Sequence, residues 1–176
     1  RAAAVRKVSQ LSQQQQQMLA QLITPLLHDE FRYVRVEAAR LLVPVAKQRF
    51  ADRTQRDSKA FWAALEDYKK GQAYLTDRAG THLNLAVMWD SLGETDKAIK
   101  AYQKAIEMES DFVPARMNLA MLYARLNRTS DAEQQLAAAL RAQPSNAQVH
   151  YSMGLLMAEN QARIGQAVFH LGRAAV

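Results

Sequence analysis

Four histidines are the residues of this sequence with the widest range of possible chemistry. A histidine side chain can bind a metal ion, act as a general acid or base, or form a buried hydrogen bond. His28, His82, His150 and His170 do not form the HxxxH or HExxH spacing that places two metal ligands on one helix face. His82 and His150 occupy one position of the repeat described below, so we interpret both as packing against the preceding repeat unit.

Other residue types give no sign of a catalytic or metal site. The chain has no cysteine, which excludes disulfides, thiolate zinc sites and CxxCH haem attachment within this segment. It has no glycine-rich phosphate loop, and its serines, aspartates and lysines do not form a nucleophile motif. We therefore predict no catalytic residue, no metal ligand and no cofactor in this segment, and we expect that it is not an enzyme.

The composition favours helix throughout. The chain of 176 residues is 49% hydrophobic with six glycines and four prolines, and alanine, leucine and glutamine are abundant. No apolar run reaches the length of a membrane span, and no signal peptide is visible. Because the chain opens on RAAAVRKV, which resembles the middle of a helix, we expect it to be a fragment of a longer protein of unknown localisation.

Two stretches of the sequence are nearly the same. The chain reads GTHLNLAVMWDSLG at 80–93 and PARMNLAMLYARLN at 114–127, thirty-four residues later. The same shift places Trp89 on Tyr123 and Ala98 on Ala132. A repeat of this length, with apolar residues at helical spacing, is typical of stacked two-helix units that bury their apolar faces against each other.

Small residues and turn residues define each predicted unit. Ala86, Ala120 and Gly154 share one position, where a small side chain allows the paired helices to approach closely. Gly93 and Asn127 follow the first helix of their units, and both residue types tolerate the left-handed conformation that ends a helix.

This pattern of a leucine, a small residue, an aromatic residue and then spaced alanines resembles the tetratricopeptide repeat. The resemblance covers a half unit at 61–78 and units at 79–112, 113–146 and 147–176. It implies an all-α fold, a right-handed superhelix (solenoid) of antiparallel helix pairs, and a protein or peptide partner bound in the concave groove of the repeats.

The first third of the chain has a different signature. LLHDEFRYVRVEAARLL at 26–42 resembles a HEAT repeat, and RAAAVRKV at 1–8 matches the second half of that pattern. In that family an aspartate and an arginine, here Asp29 and Arg35, commonly link successive helix pairs. We predict HEAT-like helices over 1–47 and a linker at 48–60, and we interpret the five glutamines at 13–17 as the exposed start of a helix.

The order of these segments, with TDRAGTHLNLA at their junction, also resembles the C-terminal region of bacterial multihaem c-type cytochromes that carry both repeat classes. That resemblance implies a periplasmic parent protein, with haem in a part of the parent chain that precedes this segment.

The tetratricopeptide resemblance also implies which side chains line the groove. Some members of the family clamp a C-terminal carboxylate with lysine, asparagine and arginine, but here only Asn118 fits that pattern, which favours an apolar or extended ligand. The predicted partner-binding residues are Leu83, Asn84, Val87, Asp90, Met117, Asn118, Met121, Arg125, Tyr151, Ser152 and Leu155.

Three hypotheses for function follow. The first is a protein-binding scaffold, and the second is a docking or assembly module of a periplasmic multihaem cytochrome. The third is nucleic-acid binding, because residues 1–60 hold eleven Lys/Arg and five Asp/Glu whereas residues 61–176 hold twelve of each. The charges lie among alanine and leucine at helical spacing, which favours a solvated helix face over nucleic-acid binding.

The last helix has apolar residues that no following unit covers, which predicts self-association or fraying there. These residues are Val168, Leu171 and Val176.

Overall fold

The computed structural model describes residues 11–175, and every regular element in this range is helical. RAAAVRKV at 1–8 and Val176 therefore lie outside the described residues. The α-helices are α1 (Gln13–Ile23), α2 (Arg32–Leu42), α3 (Ala46–Arg49), α4 (Arg56–Ala73), α5 (Ala79–Ser91), α6 (Thr95–Met108), α7 (Val113–Arg125), α8 (Thr129–Ala142), α9 (Ala147–Ala158) and α10 (Ile164–Ala174). Short 3-10 helices occupy Thr24–His28, Val43–Val45 and Gln161–Arg163.

The chain forms two compact units, Arg1–Ala98 (unit 1) and Ile99–Val176 (unit 2), with the boundary inside α6. In unit 2, α7 packs against α8 and α9 packs against α10. These are helix pairs of the kind that the repeat predicted. The predicted all-α fold of paired helices is therefore confirmed.

Unit 1 has a core that includes aromatic residues from within the predicted linker and from just after it. Phe50 and Phe61 are almost fully buried, and their rings stack with centroids 4.4 Å apart. Trp62 meets Phe61 edge-on and donates from Nε1 to the Phe50 carbonyl at 3.1 Å. The structure therefore differs from the predicted linker at 48–60: α3 ends at Arg49, Phe50 belongs to the core and α4 begins at Arg56, which leaves the loop only residues 51–55.

The HEAT-like segment packs on α4 through both apolar and charged contacts. Arg32 donates to both carboxylate oxygens of Asp67, at 3.1 and 3.0 Å, and so joins α2 to α4. Arg35 forms no hydrogen bond or ion pair with the Asp29 carboxylate, but donates to the backbone carbonyls of Asp29 and Glu30 at 2.8 and 2.9 Å. In this chain Arg35 thus fixes the turn before α2, and the assignment of 1–47 to the HEAT class stays a prediction.

The two predicted helix ends are confirmed by the backbone. Gly93 has φ of 70° and Asn127 has φ of 58°, both in the left-handed region. The amides of Glu94 and Arg128 donate to the carbonyls of Trp89 and Tyr123, each at 2.9 Å. These are the six-to-one hydrogen bonds of a Schellman motif, which ends a helix by satisfying its last free carbonyls.

Small residues lie where the helix pairs meet, as the repeat predicted. Ala86, Ala98 and Ala132 are fully buried, and Ala120 is 1% exposed. Gly154, at the position of Ala86 and Ala120, lies very close to the paired helix. A Cβ built on Gly154 would lie 2.7 Å from Leu171 Cγ and 3.2 Å from the Ala167 carbonyl oxygen, both on α10.

We expect Gly154→Ala to destabilise unit 2 by about 1–3 kcal/mol, because the new methyl group must displace Leu171 and backbone of α10. Gly172→Ala is the matched control, since a Cβ there has nothing within 4 Å. Alanine is the better helix former, so this control should be neutral or up to about 1 kcal/mol more stable. Chemical denaturation of both variants measures the difference, and equal effects would contradict the close approach of α9 and α10.

Candidate partner-binding site on the first helices of the repeats

The first helix of each repeat carries the predicted partner-binding residues. In unit 1 these residues lie on α5, where Leu83, Asn84 and Asp90 are half-buried and Val87 is 8% exposed. Val87 is therefore largely inaccessible to a partner. Asp90 already takes part in an interaction within the protein, so it is not a free carboxylate.

In unit 2 the predicted residues divide into a buried and an exposed set. Met117 and Asn118 on α7 are each 5% exposed, so Met117 belongs to the core and offers a partner little surface. Met121 on α7 and Tyr151 and Leu155 on α9 are 44%, 53% and 48% exposed. Met121 and Leu155 occupy the same repeat position, and α7 contacts α9. The structure therefore offers an apolar strip, which we define as Met121, Tyr151 and Leu155.

Asn118 lies beside this strip in an unusual environment. No hydrogen bond of its side-chain amide is found among residues 11–175, although the residue is buried. The only fully buried side-chain polar atom without a hydrogen bond in that range is Ser58 Oγ, so the Asn118 amide retains some access to solvent. The Asn118 amide thus offers one donor group and one acceptor group beside the apolar strip, and neither has a partner within the described residues.

The remaining two predicted residues are already engaged. Ser152 donates from its hydroxyl to the Gln148 carbonyl one turn earlier, at 3.0 Å. Arg125 is exposed but already takes part in an interaction within the protein. Neither residue has the free hydrogen-bonding capacity that Asn118 has.

A hydrogen bond that the sequence did not reveal recurs at each repeat junction. His82 Nε2 lies 3.1 Å from the Thr76 carbonyl oxygen, and His150 Nε2 lies 2.9 Å from the Pro144 carbonyl oxygen. Arg116, at the equivalent position, donates to the Ser110 carbonyl at 2.6 and 2.8 Å. Each donor therefore ties the first helix to the carbonyl six residues upstream, in the turn that precedes it.

These contacts correct the interpretation of His82 and His150 as packing residues alone. The signal in the sequence was that His82, Arg116 and His150 are all N–H donors at one repeat position. Their acceptor is a backbone carbonyl, which has no sequence signature, so the bond itself was not predictable.

His150 also pairs with His170 on α10. The two Nδ1 atoms are 2.8 Å apart. Because a carbonyl oxygen only accepts, His150 Nε2 carries a proton toward Pro144, and in the neutral ring Nδ1 is then the acceptor. With His150 neutral, His170 Nδ1–H is the donor. The bond holds a single proton between the two Nδ1 atoms, so it cannot form when both rings are protonated.

A second polar contact fastens the start of α10. Arg163 donates to both carboxylate oxygens of Glu133 on α8, each at 2.7 Å. These hydrogen bonds lower the pKa of the Glu133 carboxyl. Burial, together with the nearby charge of His150, lowers the pKa of His170, although Glu133 acts in the opposite direction.

The described part of the chain contains no cluster of three histidine, aspartate or glutamate side chains able to hold a metal ion. Across residues 11–175, no helix combines the length and apolar character needed to cross a bilayer.

The repeated segment matches a known protein family. Residues 91–156 match the Tetratricopeptide repeat family. The matched segment covers less than half of the chain. It includes the end of α5, all of α6, α7 and α8, and most of α9. The predicted repeat class is therefore confirmed over this range.

Relatives in sequence match a similar length of the chain. It is 30% identical over 73 residues to the Photosystem I assembly protein Ycf3 of Synechococcus sp. (strain CC9311). It is 31% identical over 71 residues to the protein of the same name from strain CC9605. The matches cover 40% and 39% of this chain, and the chain spans only about two-fifths (42% and 41%) of these curated relatives.

Solved structures resemble a larger part of the chain. The crystal structure of MamA has a TM-score of 0.57 at 21% identity, over 80% of this chain and 76% of that chain. The structure of YrrB, described as a TPR protein with an unusual peptide-binding site, has a TM-score of 0.52 at 16% identity, over 88% and 80%. Identities this low establish the fold alone, and that fold is an all-α repeat.

The histidine pair predicts that acid weakens the attachment of α10. Because folding lowers the pKa of His170, the unfolded state binds the proton more readily than the folded state does. The stability that the neutral His170 contributes is therefore fully present above its ordinary pKa of about 6.5. This stability is lost as the pH falls from there through the pKa in the folded state. We expect the protection of the α10 amides against hydrogen exchange to fall between pH 7.5 and 5.5, beyond the intrinsic effect of pH. In His170→Gln this fall should be smaller.

His82→Gln is the control, because His82 bonds to a carbonyl without a histidine pair. It should keep the full fall in protection over α10. An unchanged pH dependence in His170→Gln would show that the pair does not couple α10 to pH.

Proposed function

We propose that this chain is a protein–protein interaction scaffold that binds an extended segment of a partner protein on the first helices of unit 2. The observation that carries the proposal is the exposed apolar strip of Met121, Tyr151 and Leu155 on helices that are otherwise well buried. In α7, eight of thirteen residues are buried, so Met121 is an exception that packing does not explain.

The chemistry of the strip suits a peptide ligand. Methionine is flexible and polarizable and adapts to different apolar partners. Tyrosine combines a large apolar ring with a hydroxyl that can bond to a partner, and it is enriched at interfaces for this reason. Tyr151 and Leu155 are one helical turn apart and therefore present adjacent side chains.

Asn118 supplies the polar part of the proposed site. A peptide bound in extended form has unpaired N–H and C=O groups along its backbone, and a side-chain amide can satisfy one of each. The absence of an internal partner for Asn118 supports this role. Asn84 occupies the equivalent position in unit 1, where we propose the same role for it.

The other predicted members of the site contribute less to recognition. They are Leu83, Val87, Asp90, Arg125 and Ser152. Val87 and Ser152 have little free capacity for recognition, as their burial and internal hydrogen bond indicate. Asp90 in unit 1 and Arg125 in unit 2 each already take part in an interaction, so each has less capacity to orient a bound segment.

The names of the sequence relatives are compatible with a scaffold, since Ycf3 is described as an assembly protein. A docking role in a periplasmic multihaem cytochrome and nucleic-acid binding through residues 1–60 stay predictions. The coding sequence upstream of Arg1 tests the former, because CxxCH motifs there would mark a haem-bearing parent.

The experiment begins with selection of linear peptides from a random phage-displayed library on the purified chain. Fluorescence anisotropy then measures the affinity of a selected peptide for variants of the strip. The double variant Met121→Ser, Leu155→Ser should lose about 1.5–3 kcal/mol of binding for each side chain that the peptide fully covers. Its stability should change little, because both side chains are already exposed.

Met108→Ser is the matched control, since Met108 is 38% exposed at the end of α6 and lies outside the strip. It should bind the peptide as the wild type does. Failure to select any peptide, or an equal loss in this control, would contradict the proposed site.

Asn118→Ala separates recognition from packing. We expect it to weaken peptide binding by about 1–3 kcal/mol, because backbone groups of the bound peptide lose their partner. The free energy of unfolding should change by less than about 0.5 kcal/mol, because no internal hydrogen bond is lost. A variant that unfolds easily but binds normally once folded would show that Asn118 is structural.

A further inference from the structure

A small pocket in unit 1 lies far along the sequence from the tetratricopeptide segment. It has a volume of ≈ 250 Å³ and is lined by Gln17, Ala20, Gln21, Val45, Gln48 and Arg49. The volume is below the roughly 300–1,000 Å³ of pockets for drug-sized ligands, so it suits one side chain or one chain end. Ala20 and Val45 are buried and form an apolar part of the wall.

Arg49 is held in place by a buried hydroxyl. Its Nε donates to Thr24 Oγ1 at 3.0 Å, and that hydroxyl donates in turn to the Ala20 carbonyl at 2.6 Å. Thr24 is 4% exposed, so this anchor is part of the folded core. The anchor uses only Nε, and the two terminal nitrogens of Arg49 have no acceptor among residues 11–175.

The other polar groups of the pocket are neutral amides. Gln17 and Gln21 are one turn apart on α1, and Gln48 precedes Arg49 on α3. None of the three side chains has a hydrogen bond within the described range. None of the six lining residues is acidic, so the charge of Arg49 is not balanced inside the pocket.

We propose that this pocket binds a carboxylate group, with the two terminal nitrogens of Arg49 donating to its two oxygens and the glutamine amides donating beside them. The planar guanidinium fork matches a carboxylate in shape, and its orientation is fixed before the ligand arrives. The carboxylate comes from an acidic side chain or from the C-terminus of a protein partner. This proposal does not depend on the apolar strip of unit 2.

The charge balance favours a carboxylate over a phosphate. One guanidinium and three neutral amides match a single negative charge, whereas a phosphate group carries up to two charges and calls for several cationic or backbone donors. A nucleic-acid backbone would also need an extended row of cations. The pocket presents only one.

The test uses small probes and the whole chain labelled with ¹⁵N. N-acetyl-glutamate amide carries a side-chain carboxylate, N-acetyl-glycine carries a C-terminal carboxylate, and N-acetyl-glutamine amide is a neutral isostere of the first. We expect either carboxylate probe to shift the Arg49 guanidinium resonances and the side-chain amide resonances of Gln17, Gln21 and Gln48. The neutral probe should produce no such shifts. The carboxylate probe that binds more tightly shows whether the ligand is an acidic side chain or a C-terminus.

Two variants with equal loss of charge provide the control. Arg49→Gln should weaken binding of the carboxylate probe about tenfold or more, because it removes the charged fork. Arg56→Gln removes one charge of the same unit outside the pocket and should leave the affinity unchanged. The proposal is overturned if the neutral probe shifts the same resonances, if neither acid shifts them, or if Arg56→Gln weakens binding as much as Arg49→Gln.

Discussion

The close approach of paired helices is the constraint on which the rest of this structure depends. Ala98, Ala105, Ala132 and Ala139 are fully buried on the second helices. A larger side chain at any of these positions would separate the helices and open space around the leucines and aromatic residues that flank them. The thirty-four-residue repeat is visible in the sequence because these few positions tolerate so little variation in size.

Close packing alone does not determine where each helix begins and ends, and polar contacts with the backbone supply that information. The left-handed residues Gly93 and Asn127 end α5 and α7 after the same number of residues. The donors at 82, 116 and 150 then fix the turn that leads into each first helix. Because the acceptors are backbone carbonyls, the side chain can be histidine or arginine, provided that it reaches the turn and carries an N–H.

This distinction explains how much could be predicted from the sequence. The helix pairs and the left-handed residues were predictable, because residue size and backbone freedom are properties of single residues repeated at a fixed spacing. The extent of the linker was not predictable, because Phe50 joins the core through tertiary contacts such as its stacking on Phe61. The site was predictable only in part: the repeat position of Met117 and Tyr151 is the same, yet one is buried and the other exposed. Which neighbour covers a position depends on the packing of each unit.

Helices α7 and α10 differ in how much of their surface is buried and in how far they depend on polar contacts. Eight residues of α7 are buried, so apolar packing holds this helix. In α10 only Ala167 is buried, and Val168 and Phe169 are more than half exposed. Besides its packing on α9, this helix is positioned by the Glu133–Arg163 ion pair at its start and by the His150–His170 hydrogen bond. Since such contacts contribute little net free energy at a partly exposed site, α10 is the element of unit 2 whose attachment responds most to its surroundings.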